Sequence, residues 1–235
     1  MFQFKILSIT YLLLGFVLLG NAQNSQEALD KESTYTKVIT ERADKIVQKL
    51  EIKKEKKASK VRDLIANQYR NLNTIHEQKK SSILALKNTS ALTKEQLAIE
   101  TQKVEQQTEN AQNTLHEKYL KALSKELSKT QVEAVKDGMT YNVLPNTYKA
   151  YQEMLPDLTK DQKRQILEYL TEAREHAMDA ETSEKKHAWF GKYKGKINNY
   201  LSAQGVDMKK AGQEWEKKIK AAESAKKETS KTSGQ

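Results

Sequence analysis

The sequence predicts an all-α protein, a long antiparallel helical hairpin packed on a bundle of shorter C-terminal helices. Three observations carry that expectation. There is no glycine or proline between Gln23 and Asp137, and the stretch is rich in Lys, Glu, Gln, Ala and Leu, the residues that cost a helix least. The apolar residues recur at helical spacing, and no run alternates with the period of two that a half-buried strand requires. Finally, the pattern L-[ST]-x-x-Q occurs at Leu92–Gln96, Leu127–Gln131 and Leu158–Gln162. It places a hydroxyl at a helix N-cap and a glutamine three residues on, able to reach back to the cap's own amide.

The chain opens with Lys5, an apolar stretch from Ile6 to Leu19 broken by Ser8, Thr10 and Gly15, and the small residues of Gly20-Asn21-Ala22. That order reads as a secretory signal peptide over residues 1–22. The apolar run is shorter than the roughly 20 residues of a spanning helix. The expected product therefore has no stable membrane span after cleavage and is periplasmic or secreted. Residues 23–221 are expected to form one helical domain, with a long-helix part over about 36–126 and an aromatic-rich, short-helix part over about 128–221. The Lys-, Ser- and Thr-rich residues 222–235 read as a disordered tail.

Within the long-helix part, Val38, Ile39, Ile46, Val47 and Leu50 share one helical face. Val61, Leu64, Ile65, Leu72 and Ile75 predict a helix near 58–86. The series Leu97, Val104, Ala111, Leu115, Tyr119 and Leu123 predicts another over 94–126. A joint as short as 87–91 folds such a pair into an antiparallel hairpin. Leu92 with Leu97, and Leu127 with Val132, would add hydrophobic staples. Beyond Asp137, Gly138, Pro145 and Pro156 divide the chain, giving expected helices near 129–136, 147–154, 160–180, 184–203 and 208–222. The fourth stops at Gly205 and the last is capped by Asp207.

Lysine and arginine outnumber acids to give a net charge of +10, and there is no cysteine. The absent cysteines remove any disulfide framework or thiolate metal site. The basic balance suits acidic glycans, an anionic surface or plain solubility, and an exported protein is not expected to meet nucleic acid. No glycine-rich phosphate loop or G-x-S-x-G elbow occurs. His76, His116, His176 and His187 lack H-x-x-x-H spacing. Adjacent His and Glu point about 100° apart on a helix and do not chelate together. Neither a metal nor another cofactor is expected.

Three segments stand out as candidate binding elements. In Ser183–Tyr200, Phe190, Tyr193, Ile197 and Tyr200 share one face while Trp189, Lys192, Lys196 and Asn199 share another, with His187 nearby. Gly191 and Gly195 each cost about 1 kcal/mol against alanine in a helix. Close approach of a backbone, or access for a ligand, would offset that. Aromatic faces beside amide and lysine donors are what sugar recognition uses. In Tyr141–Tyr151, Tyr148 and Tyr151 read as core, and Tyr141 and Asn142 are open between core and site. In Ile65–Glu77, the Asn, Gln, Arg and His residues, Arg70 and His76 among them, read as a polar helix interface or a site lining.

These segments carry a resemblance. Asn67-Gln68-Tyr69-Arg70-x-Leu72-Asn73-x-Ile75-His76, Asp137–Pro145, Glu172-Ala173-Arg174-Glu175-x-Ala177-Met178-Asp179-Ala180 and Ser183–Gly195 are similar to the exported Bacteroidota proteins catalogued as domain of unknown function 3826, over roughly Thr36 to Trp215. That resemblance implies a sugar-binding role and supplies no catalytic residues. The expected function is an exported, non-enzymatic, carbohydrate-binding protein with glycan as its partner. The candidate ligand-binding residues are Trp189, Tyr193, His187, Lys192, Asn199, Tyr141, Asn142, Arg70 and His76. The L-[ST]-x-x-Q pattern also resembles that of small helical periplasmic chaperones of the LTxxQ class, which makes a chaperone-like or scaffolding role the alternative. A glycan-active enzyme using Tyr, His, Arg or Lys as acid and base is a third reading.

Overall fold

A computed structural model describes residues 30–232, and the predicted signal peptide lies outside the described residues. All regular structure among these residues is helical. The helices are α1 (30–48), α2 (Glu55–Lys87), α3 (Lys94–Glu126), α4 (Lys129–Met139), α5 (Val143–Met154), α6 (Lys160–Met178), α7 (Ser183–Ala203) and α8 (Met208–Thr232). Among the described residues no helix is long and apolar enough to cross a membrane. Two compact units result, divided between Thr74 and Ile75. That boundary falls inside α2 and not at the joint near residue 127, where the long-helix and aromatic-rich parts were expected to meet.

In the first unit, α1 turns back at residues 49–54 and runs antiparallel to the start of α2. The Tyr35 hydroxyl donates to the Tyr69 carbonyl (3.1 Å) and Arg70 Nη2 to Thr36 Oγ1 (3.2 Å), while Arg62 Nε lies 4.0 Å from Asp44 Oδ1. Ile39, Ala43, Ile46, Val47 and Leu50, with Val61, Ile65, Ala66 and Leu72, are buried. Their spacing in each helix marks one apolar stripe.

In the second unit, α6 and α7 form the most extensively packed pair, and α5 and α8 lie against them. Ile166, Leu170, Ala173 and Ala177 of α6 meet Phe190, Tyr193, Ile197 and Leu201 of α7, with Leu144, Tyr151 and Leu158 completing the core. Each large side chain buried this way is worth about 1.5–3 kcal/mol. The latter part of α2 runs antiparallel to α3, joined across by Lys79 and Glu105 at 3.5 Å.

The joints follow sequence chemistry closely. Thr93, Ser128 and Thr159 each accept from the backbone N–H three residues on, and Gln96, Gln131 and Gln162 accept from the cap amides, so all three capping boxes form. The α7 terminus is a Schellman motif: Val206 N–H donates to the Leu201 carbonyl, Gly205 N–H to that of Ser202, and Gly205 has φ +85°. Asp207 caps α8 through Lys210 N–H at 2.9 Å.

Three boundaries differ from expectation, the first being α4, which runs through Gly138 to Met139. The segment before Asn146 is helix, because Pro145 sits in the first turn of α5, where its missing N–H costs no bond. The helix α8 continues past Ala222 to Thr232, since Ala, Lys and Glu there favour helix.

Candidate functional site: a lysine- and tryptophan-lined groove

The site lies entirely within the second unit and is organised by the C-terminal end of α6. The carbonyls that end a helix have no intrahelical partner and carry its negative pole. Buried Lys186, one turn into α7, donates through Nζ to the carbonyls of Ala177 and Met178, both at 2.8 Å. The next carbonyl, that of Asp179, accepts from Gln112 Nε2 at 3.0 Å and lies 2.9 Å from His76 Nε2. A carbonyl only accepts, so His76 donates to it through Nε2.

The Asp179 side chain joins this end to a network of charges. His116 Nδ1 donates to Asp179 Oδ2 at 2.8 Å, and His116 Nε2 lies 3.4 Å from Glu175 Oε2. Two carboxylates on one imidazole favour the cation. The hydrogen bond to Asp179 first, and that to Glu175 second, hold the His116 pKa up at about 9. Burial by itself would raise the Glu175 carboxyl, but the bond from His116 and the nearby Lys136 hold it down at about 2. Arg174, whose side chain is 3 % exposed, donates to Asp137 Oδ1 at 2.7 Å and pairs with Glu133 and Glu175. Arg174 is the buried member of this set, and three partly buried carboxylates share the compensation of its charge.

Beside this network opens a groove of about 960 Å³. The latter part of α2 contributes His76, Lys79, Lys80, Ile83, Leu84 and Lys87, and α3 contributes Thr108, Glu109, Gln112 and Asn113. His176, Asp179, Ala180 and Glu181 line it from the end of α6 and the turn that follows, and Lys185, Ala188, Trp189 and Lys192 from α7. Half-buried Trp189 is stacked on His176, with centroids 4.4 Å apart and planes at 16°. Lys192 Nζ stands 4.9 Å from the Trp189 ring centroid. An exposed cation–π contact is worth about 0.5–1 kcal/mol, little enough for a ligand to displace.

Of the candidate residues named from sequence, Trp189, Lys192 and His76 line this groove. Tyr193 does not present a face to stack on: it is 2 % exposed and its hydroxyl donates to Glu172 Oε1. Its angular position lies between Trp189 and Phe190, and the tight α6–α7 seam draws it into the core. His187 and Tyr141 form a separate stacked pair, centroids 5.5 Å apart. Tyr141 and Asn142 both hold left-handed backbone, φ 58° and 55°, where the chain reverses between α4 and α5. Asn199 is exposed and outside the groove lining. Arg70 belongs to the first unit, bonded to Asn67 and Thr36.

His176, Gln112, Lys87 and Asp179 were not singled out. Asp179 falls in the Glu172-Ala173-Arg174-Glu175-x-Ala177-Met178-Asp179-Ala180 segment that carries the family resemblance, whereas His176 is the one position which that segment leaves open. Gln112 and Lys87 sit in helix surfaces full of Gln and Lys, with nothing in sequence to separate them from their neighbours. No carved close approach explains the two α7 glycines, because a Cβ at Gly191 or Gly195 would meet nothing within 4 Å among the described residues.

The fold and site together define an all-helical protein with a cationic, aromatic-walled groove. Its sequence matches the model of a family described as a protein of unknown function (DUF3826) over residues 36–221, and the chain belongs to that family. A search of curated proteins finds no match.

Proposed function

We propose that the chain is an exported, non-enzymatic carbohydrate-binding protein and that the groove beside Trp189 is its site. The observation that carries this reading is the Trp189 indole, braced by His176 at 4.4 Å and bordering an open groove. A rigid aromatic plane takes the C–H face of a sugar, while Gln112, Asn113 and lysine side chains on the groove wall supply hydrogen-bond donors for hydroxyls. His116 supports a binding role too: held protonated between two carboxylates, it is a poor base and serves to fix the end of α6.

Intrinsic fluorescence against a glycan panel tests the reading. The other tryptophan, Trp215, lines a different cavity between α5, α7 and α8, and so serves as an internal reference. Saturable quenching by a sugar is expected, and it should vanish in Trp189→Ala while helicity is kept. Undiminished binding by that variant would place the site elsewhere.

One observation favours the chaperone-like alternative. Leu84 on α2 is 59 % exposed and Ile99 on α3 is 54 % exposed, apolar surface of the kind an unfolded client would cover. A chain silent on every glycan that nonetheless suppresses the aggregation of unrelated clients would favour it over sugar binding.

A further inference from the structure

Resting on the carbohydrate reading, we infer that the groove takes an acidic oligosaccharide, one whose sugars carry carboxylate or sulfate groups. The argument is one of charge. Five lysines line the groove, Lys79, Lys80, Lys87, Lys185 and Lys192, against the three carboxylates Glu109, Asp179 and Glu181. Two of those carboxylates are already answered within the protein. Asp179 Oδ2 accepts from protonated His116 at 2.8 Å, and Glu181 pairs with Lys185.

The lysines are less fully answered. Lys79 pairs with Glu105 at 3.5 Å. Lys80 lies 3.9 Å from Glu77 with its side chain 72 % exposed, a contact that water largely screens. Among the described residues, Lys87 and Lys192 face no carboxylate at ion-pair distance, and Lys192 rests instead over the Trp189 ring. The groove thus presents positive charge that the protein leaves unneutralised.

The Trp189–Lys192 pair gives that charge a specific consequence. A sugar laid on the indole occupies the space where the Lys192 ammonium now stands. A carboxylate or sulfate on that sugar offers the displaced ammonium a stronger partner than the ring it leaves, whereas a neutral sugar offers none. Among the described residues that line it there is no arginine. Lysines act as point charges without the planar fork that reads one anion geometry, so uronates and sulfated sugars fall within the same class.

The experiment titrates the full chain, at low salt, with uronate oligosaccharides, with the same oligosaccharides after reduction of their carboxyl groups to alcohols, and with sulfated oligosaccharides. At least one acidic member should bind tenfold or more tighter than its uncharged counterpart, about 1.4 kcal/mol. The uronate and sulfate arms show which anion fits. Lys192→Gln and Lys87→Gln should each lower the affinity for the acidic member several-fold more than the affinity for its reduced form, so narrowing the gap. Both side chains are exposed, so far-UV circular dichroism should match wild type. Reduced oligosaccharides binding as tightly as acidic ones would overturn the charge inference and leave the carbohydrate reading standing. A panel on which no member saturates overturns both.

Discussion

At the scale of single residues, His116 does the most to define the site without touching the groove. Its proton joins Asp179 and Glu175, and through Asp179 it fixes the carbonyl on which His76 and Gln112 converge. The pH dependence follows from the two pKa shifts. His116 titrates at about 9 in the folded chain against an ordinary 6.5, so its contribution is complete below about 6.5 and is lost as pH rises through about 9. Glu175 is lowered from 4.5 to about 2, so its contribution is complete above about 4.5 and fades as pH falls towards about 2. For this pair, stability is greatest between those limits, near pH 4.5–6.5. The urea midpoint of the wild type should fall between roughly pH 7 and 9.5, and His116→Gln should lack that alkaline slope. An identical slope in both proteins would assign it to other groups.

At the scale of elements, α7 serves both the core and the groove wall. Phe190, Tyr193, Ile197 and Leu201 fix it against α6, which leaves Trp189 and Lys192 on the groove side. Gly191 and Gly195 weaken the same helix, yet both are exposed and nothing lies within 4 Å of the Cβ that either lacks. Alanine at either position should therefore stabilise the chain by roughly 0.5–1 kcal/mol. Thermal denaturation of Gly191→Ala, Gly195→Ala and the double variant measures this. A loss of stability would show that the open backbone is required in the folded chain.

At the scale of the whole molecule, the net charge of +10 would bear on how the proposed acidic ligand arrives more than on how it is held. For an acidic oligosaccharide the association rate should drop several-fold as ionic strength rises from about 0.02 M to 0.2 M, as the screening length shortens past about 10 Å. The dissociation rate should change less. Stopped-flow fluorescence separates the two, and an association rate indifferent to salt would mean that the surrounding charge does not steer the ligand.

By itself the sequence determined the helices, their joints and the membership of the family. These are local properties: glycine-free stretches, the three L-[ST]-x-x-Q caps and the Gly205 terminus act over one or two turns, and their chemistry is the same in any surroundings. Trp189 was legible for a related reason, as an aromatic residue out of phase with the apolar stripe of its own helix. Tertiary structure decided the rest. Tyr193 and Trp189 are only four residues apart, and the packing of α6 alone makes one core and the other groove wall. The charge set of His116, Glu133, Asp137, Arg174, Glu175 and Asp179 joins α3, α4 and the end of α6 across many residues of chain. No periodicity announces such a meeting, because a side chain's ionisation and partners depend on what lies beside it in space and not on what precedes it in sequence.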